Sequence, residues 1–415
     1  MKAAPYIYNA TDFIPGETPV YYSGPYWDNR EIDAAINSLK NGKWLVAGEK
    51  VKEFERAFAA RFRTDNAVMV NSGSSANLVM IAALKEVFDW QDWSEVIVSP
   101  VGFPTTISTI YQNRLTPVFA DIEWQTLNFD LNEVERTITD DTVAVFLSPV
   151  LGNPPDMDRL LEICDDNNVL LVLDGCDSLG TKWNGRYLNE YAVATSYSFY
   201  PAHHITTGEG GMVTSDYPEI IDRARSIAWW GRDCSCTGAG NLISKGSCGH
   251  RFDYWLKGYD KPVDHRYVFS NMGYNLKPLD LQGAIGLEQL KKLDEIEVYR
   301  KMYKEMIEAL ITDNVQGAHG VKVFPQADVS WFGVPVIYDR KHELVAHLEA
   351  NKIQTRNYFA GNILMHPGYK FMDDYRAFPE ANKVLDKVFF IGCHPSYTKP
   401  VIEYIGETLK KFSNG

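Results

Sequence analysis

The sequence lacks the features that mark membrane, secreted and nucleic-acid-binding proteins. No apolar run approaches the roughly 18 residues of a membrane-spanning helix, and no basic segment followed by an apolar one marks the N-terminus. The formal net charge of −13 disfavours contact with nucleic acid or an anionic membrane. We therefore expect a cytoplasmic protein that binds neither.

The sequence also lacks two common ligand-binding motifs, and one long segment of it contains no lysine. No GxGxxG motif occurs, so the sequence gives no sign of its own flavin or nicotinamide site, and no GxxxxGK[ST] phosphate-binding loop occurs either. No lysine lies between Trp183 and Ser244. The chain has only six cysteines, which in a reducing compartment are thiols or ligands more often than disulfides.

Apolar strands alternating with amphipathic helices predict an α/β fold with a mostly parallel central sheet covered on both faces. We expect a large cofactor-binding domain over residues 1–290, including an irregular Cys-rich loop over 231–273. One long helix, Leu279–Ile311, should lead into a smaller C-terminal α+β domain over 291–415. A chain of 415 residues is long enough for both.

Two segments predict ligand contacts at strand ends. The strand Ala67–Val70 runs into the turn Asn71-Ser-Gly-Ser-Ser and then a helix, which makes Gly73, Ser74 and Ser75 candidate phosphate binders. An ordinary capped helix is the alternative reading. The strand Asn168–Leu173 ends in Asp174-Gly-Cys-Asp177, where a carboxylate would face the ligand crevice or else cap a helix.

A loop with two adjacent histidines follows another predicted strand, Val193–Phe199. It reads Ser198-Phe-Tyr-Pro-Ala-His203-His204-Ile-Thr-Thr-Gly-Glu-Gly-Gly211. Loops that follow strands often carry the chemistry of α/β proteins.

The order of these motifs, together with the loop at Phe103, resembles the vitamin-B6-dependent sugar aminotransferases of the DegT/DnrJ/EryC1 family. The resemblance implies a type I aminotransferase fold that works as a homodimer and binds pyridoxal or pyridoxamine 5'-phosphate. It implies that Asp174 pairs with the pyridine nitrogen, Asp177 lies near the ring hydroxyl, and Phe103 stacks on the ring. The implied phosphate contacts are Gly73, Ser74 and Ser198, with Asn275 reaching the phosphate of the neighbouring subunit.

The chain departs from this family at the residue that would tether the cofactor. In the aminotransferases the Ser-Phe-x-Pro-x-Lys-His motif supplies a lysine, and here His203 stands at that position. Free pyridoxamine phosphate is therefore expected, with His203 as a base and His204 as structural support. A histidine with its ordinary pKa of about 6.5 is a competent base at neutral pH, whereas lysine at about 10.4 would need a large shift.

The lysine-free dehydrases that this chain resembles fall into two groups. One acts on GDP-4-keto-6-deoxymannose without a metal. The other acts on CDP-4-keto-6-deoxyglucose and carries an iron–sulfur cluster. In this sequence Cys176, the pair Cys234-Ser-Cys236 and Cys248 reproduce the cluster pattern, although the last gap of eleven residues is longer than in the family.

Spacing alone leaves zinc or unligated thiols open for these four cysteines. The resemblance favours a [2Fe-2S] cluster, with Cys164 and Cys393 as packing residues. The expected function is removal of the C3 hydroxyl from a CDP-4-keto-6-deoxyhexose on the route to 3,6-dideoxyhexoses. Electrons would come from a separate NAD(P)H-dependent flavin or iron–sulfur reductase.

Three other functions stay open: a metal-free GDP-sugar dehydratase, a sugar aminotransferase relative, and a non-catalytic cofactor-binding scaffold. Basic residues are needed for the nucleotide diphosphate in this acidic chain. The candidates are Arg232, Lys245, His250, Arg251 and Arg356.

The cluster prediction is tested by anaerobic purification with an absorption spectrum and an iron and sulfide assay. We expect a coloured protein with about two iron and two sulfide per chain, because four thiolates complete the ligation of a [2Fe-2S] centre. Cys234→Ser should abolish the colour, and Cys164→Ser, outside the pattern, should keep it. A colourless wild-type protein without iron would contradict the prediction.

Overall fold

The computed structural model describes residues 12–234 and 249–413. Its strands are β1 Asn66–Val70, β2 Glu95–Val98, β3 Thr116–Phe119, β4 Thr142–Leu147, β5 Leu170–Asp174, β6 Lys182–Trp183, β7 Arg186–Tyr187, β8 Ala194–Ser198, β9 Gly211–Ser215, β10 Ala327–Asp328, β11 Val334–Ile337, β12 Thr355–Asn357 and β13 Val388–Ile391. Its helices are α1 Asn29–Asn41, α2 Glu49–Arg61, α3 Gly73–Val87, α4 Pro104–Gln112, α5 Leu131–Thr137, α6 Met157–Asp166, α7 Pro218–Ala228, α8 Asp280–Lys291, α9 Leu293–Asn314, α10 Lys341–Ala350, α11 Pro379–Asn382, α12 Val384–Lys387 and α13 Lys399–Ser413.

A seven-stranded sheet forms the centre of the fold, in the order β1-β9-β8-β5-β4-β2-β3. The pairs from β8 to β3 are parallel, and β9 runs antiparallel to both of its neighbours. The predicted α/β class with a mostly parallel sheet is therefore confirmed. A separate antiparallel sheet, β11-β13-β12, lies in the C-terminal part of the chain.

The two faces of the central sheet are covered by different hydrophobic clusters because side chains alternate along each strand. On β5, Val172 packs into one cluster, whereas Leu171 and Leu173 pack into the other. The smaller cluster contains residues of α5 and α6, and the larger one contains residues of α2, α3, α4 and α7. Such two-sided burial explains why these strands read as continuous apolar runs.

The single helix predicted over Leu279–Ile311 is wrong, because the chain divides it at Lys292 into α8 and α9. The N–H of Lys292 donates to the carbonyl of Gln289, three residues back, which tightens the last turn. The buried ammonium of Lys292 binds Glu31 at 2.6 Å and Asp28 at 3.1 Å. These ion pairs tie the junction between the two helices to α1 and its cap. The predicted domain division at residue 290 stays a prediction.

The described helices include none long and apolar enough to cross a membrane. The segment 249–273 contains one short 3₁₀ turn, His265–Tyr267, and otherwise has no helix or strand.

Close packing of α8 on α2 predicts an effect on stability at Gly283. A Cβ added there would lie 2.5 Å from the amide nitrogen of Val51 and 2.6 Å from the carbonyl carbon of Lys50. We expect Gly283→Ala to lower the free energy of unfolding by ~1–3 kcal/mol through overpacking. The alanine would otherwise gain up to ~1 kcal/mol of helix propensity.

Chemical denaturation with urea measures this change. Gly368→Ala is the matched control, because a Cβ at Gly368 meets nothing within 4 Å. Stabilisation by Gly283→Ala would show that the two helices separate without cost.

Candidate active site

A cavity of about 720 Å³ lies at the carboxyl ends of β5 and β8, facing the N-termini of α3 and α4. Asp174 is the last residue of β5 and Ser198 the last residue of β8, so parallel pairing brings both to the same edge. Side chains of the C-terminal part close the other side of the cavity. Among them are Phe332, Arg356, Phe359 and Phe390.

The N-terminus of α3 forms a cradle at one wall of the cavity. Ser72 caps the helix, and its hydroxyl oxygen accepts the N–H of Ser75 at 3.1 Å. The N–H groups of Gly73 and Ser74, in the first turn, have no carbonyl partner within the helix. Together with the helix dipole they suit an anion such as a phosphate.

Glycine is required at position 73 because the space beside it is already occupied. A Cβ there would lie 2.5 Å from Cβ of Ser198 and 3.1 Å from Sγ of Cys176. Any larger residue would push β8 away from the cradle. The predicted phosphate residues Gly73, Ser74 and Ser198 thus line one cavity, whereas Ser75 uses its N–H in the cap and is not among the lining residues.

The Asp174 carboxylate is buried and held by three donors. Its Oδ2 accepts from Nδ2 of Asn77 at 2.8 Å and from Oγ1 of Thr106 at 2.7 Å. Its Oδ1 accepts the N–H of Cys176 at 3.2 Å. Ser196, the strand partner of Asp174, donates to Oδ1 of Asn77 and completes the network.

His203 also lines the cavity, in the irregular loop between β8 and β9. Its N–H donates to the carbonyl of Tyr200 at 3.0 Å, and its ring centroid lies 5.1 Å from that of Phe332. Nδ1 lies 3.5 Å from Oδ1 of Asp177, at the limit of hydrogen-bond distance, and makes no hydrogen bond of good geometry.

The environment of His203 differs from the one expected from the sequence. Burial, followed by the nearby guanidinium of Arg300, lowers the pKa of His203 to about 3. In this geometry the pKa of His203 thus lies below the ordinary value of about 6.5 expected from the sequence. Burial and the neighbouring guanidinium thus both favour the neutral imidazole over the imidazolium.

His204 and Asp177 are buried next to this residue. Nε2 of His204 lies 3.1 Å from the carbonyl of Ser330, which joins the loop to the C-terminal part of the chain. Burial and the neighbouring Asp174 raise the pKa of Asp177 well above its ordinary value, and Arg300 partly opposes them. The site therefore holds two nearby carboxyl groups in different environments.

Phe103 and Asn275 have different surroundings. Phe103 is half exposed, lines the cavity and packs edge-on against Phe359 at 5.8 Å. Asn275 is exposed, accepts from the ammonium of Lys277, and is not among the residues that line the cavity of its own chain. The contact of Asn275 with a neighbouring subunit stays a prediction.

The described cysteines of the predicted cluster lie in two different places. Cys176 lines the cavity, whereas Cys234 lines a separate pocket of about 300 Å³ with Arg223, Arg232 and Ser270. Cys236 and Cys248 lie outside the described residues. Within residues 12–234 and 249–413, no group of three or more His, Cys, Asp or Glu side chains is arranged to bind a metal.

Sequence reasoning missed Asn77, Thr106, Phe332 and Arg300, which support the predicted site residues. A signal for Asn77 existed, since it lies four residues after Gly73 and therefore on the same helix face. Phe332 and Arg300 reach the site from about one hundred residues away, and no local pattern marks them.

A cavity at the carboxyl edge of a mostly parallel sheet is typical of α/β enzymes, and similarity to solved structures assigns this chain to the type I aminotransferase fold class. E. coli GDP-4-keto-6-deoxy-D-mannose-3-dehydratase with bound hydrated PLP matches with a TM-score of 0.82 and 29% identity, covering 94% of this chain and 100% of that one. A mutant of GDP-4-keto-6-deoxymannose-3-dehydratase (ColD) with bound GDP-perosamine matches equally well.

Sequence comparison identifies the family. Residues 25–410 match the DegT/DnrJ/EryC1/StrS aminotransferase family, to which this chain belongs. The dTDP-4-dehydro-2,6-dideoxy-D-glucose 3-dehydratase of Saccharopolyspora spinosa is 36% identical over 414 residues, covering 96% of this chain and 88% of the relative. GDP-4-keto-6-deoxy-D-mannose 3-dehydratase of Yersinia pseudotuberculosis is 32% identical, covering 93% and 96%. The resemblance seen in the sequence is confirmed.

The hydrogen bond from Asn77 to Asp174 predicts a loss of stability on truncation. Asn77→Ala removes a donor from a buried carboxylate and leaves Ser196 without its acceptor, so we expect a loss of ~1.5–3 kcal/mol in the free energy of unfolding. Urea denaturation at pH 7 measures it. Asn132→Ala, on an exposed part of α5, should change stability by less than ~0.5 kcal/mol. Equal effects of the two variants would contradict the assigned network.

Proposed function

We propose that this protein is a pyridoxamine-phosphate-dependent nucleotide-sugar 3-dehydratase, which removes the C3 hydroxyl of a 4-keto-6-deoxyhexose. The observation that carries the proposal is His203 in the β8–β9 loop, at the position of the aminotransferase lysine. None of the described residues that line the cavity is a lysine. Two relatives with more than 30% identity are themselves named as sugar 3-dehydratases.

The residues of the cavity fit the cofactor. The volume of about 720 Å³ is in the range of small-molecule sites. The cradle at Gly73 and Ser74, with the hydroxyl of Ser198, would hold the phosphate, and Phe103 would stack on the ring. When bound, the pyridine ring supplies the electron sink of the reaction. Asp174 would bind its nitrogen, and the three donors on this carboxylate keep it fixed.

His203 would act as the catalytic base. Because its imidazole is neutral at pH 7, a ring nitrogen can accept a proton from the reacting carbon. The imidazolium would then donate that proton to the departing C3 oxygen, which leaves as water. Asp177, 3.5 Å from Nδ1, would orient the imidazole once the site closes around its ligands.

The nucleotide diphosphate would bind at Arg356. This side chain lines the cavity, and its guanidinium lies 4.0 Å from the ring centroid of Tyr22. Other basic candidates are occupied or elsewhere: Arg251 pairs with Asp264, and Arg232 lines the pocket of Cys234. Lys245 lies outside the described residues.

We further propose that Cys176, Cys234, Cys236 and Cys248 hold a [2Fe-2S] cluster that receives electrons from a separate reductase. The cysteine spacing supports this proposal, whereas the two described cysteines of the set, Cys176 and Cys234, line different pockets and share no metal site within the described residues. Net loss of the hydroxyl needs two electrons and two protons, and the cluster would deliver the electrons singly. A homodimer is proposed with it, in which Asn275 would complete the phosphate site of the other subunit.

Turnover of a panel of CDP-, dTDP- and GDP-4-keto-6-deoxyhexoses tests which nucleotide the substrate carries. CDP is the form expected from the cysteine pattern, while the relatives are named for dTDP and GDP sugars. Turnover of the GDP sugar by protein without iron would favour a metal-free dehydratase, which is the second candidate function.

The role of His203 is tested by exchange of the cofactor methylene hydrogens with D₂O, in the presence of pyridoxamine phosphate and substrate. We expect His203→Asn to slow the exchange by ~10²–10⁴-fold, the usual contribution of a positioned base. His342→Asn, an exposed histidine distant from the cavity, is the control. Unchanged exchange in His203→Asn would show that another group removes the proton.

A further inference from the structure

Arg300, near the middle of α9, carries a cation into the interior with only 2% of its surface exposed. Burying a charge is costly unless hydrogen bonds replace its hydration. Nη1 donates to the carbonyls of Phe332 at 2.9 Å and Trp331 at 3.3 Å. Nη2 donates to the carbonyl of His203 at 3.1 Å.

These hydrogen bonds join two segments that no regular element connects. His203 lies in the loop after β8, and Trp331 and Phe332 lie in the chain that enters β11. The backbone N–H of His203 donates to the carbonyl of Tyr200, and the backbone carbonyl of His203 accepts from Arg300. Both backbone polar groups of His203 therefore have a partner. The residue is therefore held without belonging to a helix or strand.

Phe332 adds a second contact to the same arrangement. Its carbonyl binds the guanidinium, and its ring packs against the imidazole of His203 with centroids 5.1 Å apart. The guanidinium thus contacts both the backbone that carries the imidazole and the residue whose ring packs against it, in addition to the contact of His204 with the carbonyl of Ser330.

Packing alone does not require arginine at this position. An apolar side chain of similar volume would avoid the desolvation of a charge. Only a planar guanidinium has donors in fixed directions that can reach three carbonyls at once, whereas the ammonium of lysine is a compact group on a flexible chain.

We propose that Arg300 is a positioning residue, which fixes the imidazole of His203 for proton transfer through the His203 carbonyl and through Phe332. The proposal rests on the proposed role of His203 as the base. It predicts that changes at Arg300 affect the rate of proton transfer while cofactor and substrate binding persist.

The test uses the holoenzyme with pyridoxamine phosphate and measures kcat, KM, the cofactor Kd and the rate of methylene exchange. We expect Arg300→Lys to lower kcat and exchange by about 10-fold or more, since a misplacement of about 1 Å can cost ~10²-fold. KM and Kd should stay within about threefold of wild type. Arg300→Gln, which keeps fewer donors, should be slower still.

A second variant tests the same arrangement without altering the buried charge. Phe332→Leu keeps the backbone acceptors and removes the ring beside the imidazole, so it should also lower kcat and exchange with little change in Kd. Lys341→Met is the control for loss of a buried cation, because Lys341 donates to the carbonyl of Leu385, far along the chain from His203. We expect wild-type kcat in this control.

The outcomes separate the two proposals. Unchanged exchange in His203→Asn would overturn the proposed base and with it the role of Arg300. Slow exchange in His203→Asn, with wild-type kcat in folded Arg300→Lys or in Phe332→Leu, would overturn the positioning role alone. If Arg300→Lys raised KM and Kd by the same factor by which it lowered kcat, Arg300 would have a general structural role, and the proposed positioning role would again be overturned.

Discussion

The parallel pairing of β5 with β8 is the constraint on which the site depends. Asp174 lies opposite Ser196, so the ends of both strands reach the same edge of the sheet. A shift of one residue in this register would turn Asp174 toward the opposite face. The network through Asn77 and Thr106 depends on this register, since the two donors come from α3 and α4, which follow β1 and β2 on opposite sides of β5 in the sheet.

The N-terminus of α3 explains how an acidic protein can present an anion cradle. The positive potential at Gly73 and Ser74 comes from backbone N–H groups and the dipole of α3, which need no basic side chain. Ser198, at the end of β8, packs against Gly73 so closely that a methyl group would not fit between them. Charge composition therefore says little about local binding when the backbone supplies the charge.

Sequence patterns predicted the sheet, most strand positions and the residues at the strand ends, because these depend on local periodicity and turn chemistry. The division of the α8–α9 segment was missed, since no local pattern marks Lys292, whose ammonium pairs with residues of the first helix and its cap. The pKa of His203 was also missed. It follows from burial and from Arg300, which contacts the loop from almost one hundred residues further along the chain.

The path of the chain around the cavity bears on how the protein is made. Tyr22 and Phe390 both line the cavity, and the N-terminal segment is held to the C-terminal part by the Val20–Ile353 bridge and by the bond between His394 and the carbonyl of Gly24. During synthesis on the ribosome, the central sheet can form well before residue 390 has left the exit tunnel. The cavity wall at Phe390 cannot form until that residue has left the tunnel. A nascent chain would therefore expose an open cradle until its last quarter has folded, so ligand capture would be a late event in biogenesis.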